Sequence, residues 1–415
     1  MTWVRPGHAA FPLGRRGLAM AVLAASAIGR ARAADPWRDA ATVLAAPILA
    51  AAAALGGPGL LRSYRIEGTE TFDRSHAETA YTYDNALAGL ALLALGRRDA
   101  AEWIAAGLRL VQDQDRYWHD GRLRNAYAAG PQHAEAPGSA RPPGWWDPAA
   151  GRWIEDGYAA GSATGPVAFA ILLWTALGGG ANRAAAERAA AWVLRDCAGG
   201  RGFTGGTLGH EPAPERQRWI STEQNLDLSV AFRRVGQAGA AGKAAGFVRS
   251  MWLPEEERFA AGLTPEGAVN RDSALDANLW PPLATGDPAF RPALRWVLAR
   301  HGLPAGAPAA ELRGLDFNDD RDGTWFEGTA QAVLLLRRLG EEALARRLLG
   351  GILAARGPEG WVLATDRPWL TTGFFNGDVP FRYPRRGHLA ASAWTVLAAL
   401  GVSPFDDPDR GSGGP

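Results

Sequence analysis

Five stretches of this sequence repeat one design: a polar or aromatic cluster opens an apolar helix, and a glycine closes it. Tyr83-Asp84-Asn85 lead Ala86 to Leu95, which stops at Gly96. Thr164-Gly165-Pro166 lead to Gly178, Glu223-Gln224-Asn225 to Gly236, Trp325-Phe326-Glu327 to Gly340, and His388 to Gly401. The leading residue stands 13 positions before its glycine at 165, 223, 327 and 388, and 12 before it at Asp84. A glycine just past the last periodic residue is a left-handed helix stop. The leading residues therefore occupy the first turns of equivalent helices. A sixth copy is expected around Ser273 to Asn278, cut short or kinked by Pro281-Pro282.

The leading positions 84, 165, 223, 276, 327 and 388 are spaced by 81, 58, 53, 51 and 61 residues. Those periods are too long and irregular for a tetratricopeptide or ankyrin array. The leading helices are apolar nearly all round, as in Leu90 to Leu95, and so should be buried. Each is followed by an amphipathic partner, such as Glu341 to Ala354, with one face for solvent. A further helix, Trp37 to Leu55, can pair with the unpartnered last helix and close a ring. Six inner and six outer helices make an all-α (α/α)6 barrel, a single domain over residues 34–404 with a disordered tail at 405–415. No run of alternating β-branched residues demands a sheet. The connections, such as Tyr117 to Ala160 and Arg201 to Ile220, are long and rich in Gly, Pro and Trp. Long ordered loops carry function more often than short ones.

Charge narrows the function. With 44 Lys+Arg against 43 Asp+Glu, the chain lacks the basic excess of a dedicated nucleic-acid binder. A lone cysteine, Cys197, excludes an intramolecular disulfide and a thiolate metal cluster. The histidines at 76, 119, 133, 210, 301 and 388 form no His-x-x-x-His pair for zinc. Asn318, Asp320, Asp322 and Gly323 fit the first half of a calcium loop, but position twelve is Thr329 where a bidentate Glu is needed. No metal and no cofactor are expected. At the start, Arg15-Arg16, the apolar run Leu18 to Ile28 and Ala31-Arg32-Ala33 read as a cleaved secretory signal over 1–33, compatible with twin-arginine export. The expected product is a periplasmic or extracellular monomer with no lasting membrane insertion.

Because the inner helices are equivalent, their first turns should gather at one mouth. Asp84, Glu223 and Glu327 are the candidate catalytic carboxyls there. Tyr83, Asn85, Trp219, Asn225, Asp227, Asp276, Trp280, Trp325, His388 and Trp394 are the candidate substrate contacts. Sugars present hydroxyls for carboxylates and amides and an apolar face for indole, and glycosidic hydrolysis needs one protonated and one ionised carboxyl. Glu223 and Asp227, four apart on one helix, could supply such a pair. Each carboxyl also has a plain structural reading. Thr324-x-x-Glu327 and Ser221-x-x-Gln224 have the spacing of capping boxes, and a helix start favours negative charge.

At Tyr81 to Ala88, Ser221 to Asp227 and Trp325 to Gln331 the chain resembles the six-hairpin glycosidase superfamily. That group of (α/α)6 barrels includes glucoamylases and family 8 endoglucanases, with acid and base at the mouth formed by inner-helix starts. The resemblance implies a secreted glycoside hydrolase acting on a polysaccharide or oligosaccharide, with Asp84, Glu223 and Glu327 placed to serve. One alternative is a lyase on uronic-acid polymers, using His388 with Arg382, Arg385 and Arg386 nearby. The other is a non-catalytic glycan-binding or polysaccharide-assembly protein.

Overall fold

A computed structural model describes residues 35–133, 138–304, 312–357 and 359–408. The expected signal segment and the end of the expected tail lie outside these residues. Twelve helices form six hairpins. They are α1 (Pro36–Leu55), α2 (Thr82–Ala94), α3 (Arg98–Asp113), α4 (Thr164–Leu177), α5 (Gly180–Asp196) and α6 (Thr222–Arg234). Then follow α7 (Ala238–Ser250), α8 (Leu275–Thr285), α9 (Pro292–Arg300), α10 (Phe326–Arg338), α11 (Glu342–Ala354) and α12 (Leu389–Leu400). The even-numbered helices are the apolar ones. Each packs on the next around a ring, and α12 returns to α2. The odd-numbered helices form the outer layer, with α1 packed on α12 as the hairpin logic requires. The chain is an (α/α)6 barrel.

Burial follows composition. In α4, which contains no charged residue, all but Thr175 and Ala176 are buried. In α11 only Ala345, Leu348, Leu349 and Ile352 are, on one stripe. Each inner helix ends at a glycine with φ between +65° and +80°, a conformation costly for other residues. Helix α8 is the shortest of the six, yet it runs through both Pro281 and Pro282 to Thr285. Helix α1 is long and apolar enough to cross a membrane on length and composition alone. Here it buries Trp37, Leu44 and Ile48 in the barrel.

The tight turns from inner to outer helix sit at one end of the barrel. The long returns from outer to inner helix all sit at the other, which is the mouth. These returns carry short antiparallel strands that the sequence did not announce. Thr79–Tyr81, Ser162–Ala163 and Ile220–Ser221 each pair in a two- or three-stranded sheet and lead directly into α2, α4 and α6. The longest hairpin, Trp369–Asn376 with Val379–Pro384, precedes α12. At the closed end the expected tail boundary is corrected. Phe405 is buried, its ring 5.4 Å from Trp280 and 6.1 Å from Phe169, because the lumen leaves space for one more aromatic side chain there.

Candidate active site

The inner-helix starts are held by one recurring device. Asn225 Nδ2 donates to the Ser221 carbonyl at the start of its own helix and to the Phe203 carbonyl, while its Oδ1 accepts from Phe203 N–H. Asn85 makes the same three bonds to Tyr81 and Leu61, and Asn278 bonds Ala274 and Phe259 in the same way. Thr329 and Ser392 do so with a hydroxyl. Each clamp ties a helix to a return segment and fixes the direction of the residues just before it.

Those residues form a ring. Its six positions hold Asp84, Gly165, Glu223, Asp276, Glu327 and His388. Nε2 of His388 lies 3.3 Å from Asp84 Oδ2, and its Nδ1 lies 3.8 Å from Glu327 Oε2. Tyr83 donates to Glu327 Oε1 at 2.7 Å, and Trp394 Nε1–H donates to the Tyr83 oxygen at 2.7 Å. Tyr64 stacks on the His388 ring at 4.5 Å. Gly165 leaves room for the next helix: a Cβ there would stand 3.1 Å from Gln224 Cγ and 3.5 Å from Asp227 Oδ2. Gln224 Oε1 uses that room to accept from Thr164 Oγ1 and Gly165 N–H. Asp227, one turn below Glu223, is 1% exposed, and neither of its carboxyl oxygens has a hydrogen-bond partner among the described residues.

Electrostatics divide this ring into two sides. Burial pushes Glu327 up from 4.5 to about 7, although His388 and the Tyr83 hydrogen bond pull it back. Burial would depress His388, but Asp84 and then Glu327 outweigh it and raise its pKa. Across the ring, burial and then the charges of Asp276, Asp227 and Glu327 push Glu223 well above 4.5. Burial and Asp276 do the same to Asp227, and burial brings Asp276 to about 6. The Glu327 side thus sets a carboxyl between an imidazole whose pKa is raised and a phenol that donates to it. The Glu223 side holds carboxyls that cannot all ionise together.

Glu327 does not complete a capping box, whereas Glu223 does lie in the first turn of α6, as its plain reading has it. Thr324 directs its N–H and hydroxyl to Asp366, and Glu327 accepts from Tyr83 instead of from its own helix start. Ser221 does cap α6, through Gln224 N–H, but the Gln224 side chain turns to α4.

No protein-family model matches this chain, and no curated protein does. Solved structures do resemble it. A glycosidase variant in complex with glucose superposes with a TM-score of 0.53 at 13% identity, over 87% of this chain and 98% of that one. An alpha-amylase from Clostridium perfringens superposes with a TM-score of 0.58 at 9% identity, over 91% and 100%. A D-mannose isomerase superposes with a TM-score of 0.54 at 10% identity, over 87% and 97%. The shared feature is the fold. At such identities the barrel is common to all three, and the residues at its mouth must be read from this chain alone.

The barrel brings Tyr83, Asp84, Glu223, Asp227, Asp276, Glu327 and His388 together as expected from the repeat. Asn85 and Asn225 are corrected: both are buried and bind backbone on every side, so they hold the barrel and do not face a ligand. Trp280, Trp325 and Trp394 are corrected as stacking faces. They point into packed lumen or loop, against Phe405, Phe317 and Tyr83. Trp219 alone of the expected tryptophans stays half-buried, lying over Gly205. The sequence reading missed Tyr64, Tyr158 and Tyr383. Five of the chain's seven tyrosines (64, 81, 83, 158 and 383) stand near these acids, a clustering visible only after folding. Carboxyl oxygens of Asp316, Asp320 and Asp322 lie within 4.8 Å of one another in the loop that failed the calcium register. Much of that cluster already accepts from Thr371, Phe317 and Gly323.

Proposed function

We propose that the chain is a glycoside hydrolase acting on an oligosaccharide or polysaccharide, with Glu223 as general acid and Glu327 as base or nucleophile. One observation carries this reading. A half-buried carboxyl, Glu223, and a buried one, Glu327, belong to the same ring in different electrostatic settings, the first among acids and the second beside an imidazole and a phenol. Glu223, whose pKa burial and then Asp276 and Asp227 raise, is the carboxyl suited to hold a proton and give it to a glycosidic oxygen. Glu327, with a pKa of about 7 that His388 and the Tyr83 hydroxyl hold down, is ionised over the upper part of the neutral range. It can take a proton from water or attack the anomeric carbon. Asp84 acts through His388, raising that ring's pKa and orienting it. Tyr158 and Trp219, both half-buried, supply the aromatic surfaces of the mouth. The amino-terminal pattern supports export as part of the same proposal.

The lyase reading is weaker, because the charged partners of His388 are both carboxylates and Arg386 is paired with Asp73. A sugar isomerase moving a proton beside a carbonyl is a second reading. It is favoured by the buried His388 against two carboxylates and by the likeness to a D-mannose isomerase. Incubation of the purified chain with a panel of polysaccharides and free hexoses separates them. Reducing-sugar release that is lost in Glu327→Gln supports the hydrolase. Conversion of a free hexose without hydrolysis supports the isomerase.

A further inference from the structure

We propose that the mouth face carries a second saccharide-binding site, on the rim outside the ring of acids. It is a cavity of about 490 Å³ whose walls include Arg258, Arg271, Ser273, Trp296 and Arg300. The returns after α7 and α9 and the end of α9 build it, so it opens on the same face as the catalytic ring.

Its walls are preformed. Arg258 is 7% exposed, donates through Nε to Glu256 at 2.7 Å and lies 5.1 Å from the Trp296 ring centroid. Its Nη1 has no hydrogen-bond partner among the described residues. The Ser273 hydroxyl meets His301 Nε2 at 2.7 Å, and His301 Nδ1 reaches the Asp316 carbonyl at 3.1 Å. A neutral imidazole satisfies both contacts, donating from Nδ1 and accepting at Nε2.

The lining selects the ligand class. Three guanidinium groups stand with three carboxylates, Glu256, Asp272 and Asp319. That balance gives no net pull on a simple anion or cation. Arg258 and Arg271 pair with Glu256, and Arg300 pairs with Asp319, which holds planar donors and acceptors side by side. Their remaining hydrogen-bonding positions suit adjacent hydroxyls on a neutral sugar, next to an indole. This choice of class rests on the saccharide reading of the mouth. Arg271-Asp272-Ser273 runs directly into α8, which carries Asp276. One glycan chain could therefore occupy both sites.

The test is retardation of the full chain in native gels cast with soluble starch, laminarin, xylan or pullulan. Arg271 and Arg300 are 60% and 58% exposed, so the Arg271→Ala/Arg300→Ala double variant should fold, and its melting curve checks this. The expected result is that at least one of the four polysaccharides retards the parent. Glu327→Gln should be retarded like the parent, and the double variant should bind at least tenfold more weakly. Retardation by none of the four, or a folded double variant retarded like the parent, overturns the proposal. Retardation without sugar release would instead sink the hydrolase reading and leave the rim site standing. Sugar release without retardation would do the reverse.

Discussion

The Tyr83 hydroxyl donates to Glu327 Oε1 at 2.7 Å while accepting the indole N–H of Trp394 at the same distance. Its single proton is therefore committed to the carboxylate, and a residue deep in the lumen orients a group at the mouth. A hydrogen bond to a charged group is worth about 1.5–3 kcal/mol, or about one to two pKa units. Tyr83→Phe should move the acidic limb of the pH–rate profile upward by about that much, because Glu327 must ionise to act. Trp394→Phe should shift it less, in the same direction. A limb that stays in place in both variants would remove Glu327 from the base role.

The raised pKa of Glu327 also makes a stability claim. Its folded value of about 7 exceeds the ordinary 4.5, so the native state binds the extra proton between those values. Its contribution is fully present below about pH 4.5 and is lost as the pH rises through 7. The loss amounts to roughly 3 kcal/mol at about 1.4 kcal/mol per unit. Urea unfolding at pH 4.5 and 7.5 should show a smaller decline for Glu327→Gln than for the parent. An equal decline in both would contradict the buried placement of this carboxyl.

Asn225→Ala distinguishes a clamp from a substrate contact. It strips partners from the Phe203 amide and carbonyl and from the Ser221 carbonyl. At about 1–3 kcal/mol for a buried group left unsatisfied, the total cost should reach several kcal/mol. Thermal melting should fall sharply while KM of the folded fraction stays near the parental value. A raised KM with an unchanged melt would restore Asn225 to the substrate.

The repeat was legible because each copy carries its own stop: a helix that must end at a left-handed glycine announces its length and its first turn. That was enough to derive the ring and to gather Asp84, Glu223, Glu327 and His388 from spacing alone. The roles of Asn85, Asn225 and the tryptophans were not legible. A polar or aromatic residue in a first turn can face the lumen, the mouth or a neighbouring return, and only helix rotation decides. Asn85 and Asp84 differ by one position and by roughly 100° of that rotation. Tyr64, Tyr158 and Tyr383 come from separate returns, with no spacing rule to unite them.

Reducing-sugar release by the parent, Glu223→Gln and Glu327→Gln on one cleaved substrate tests the central assignment most directly. Acid–base catalysis is worth roughly 100- to 10,000-fold. Both variants should lose at least 100-fold in rate while melting within a few degrees of the parent at pH 5. Either variant cleaving at the parental rate would contradict the two-carboxyl account.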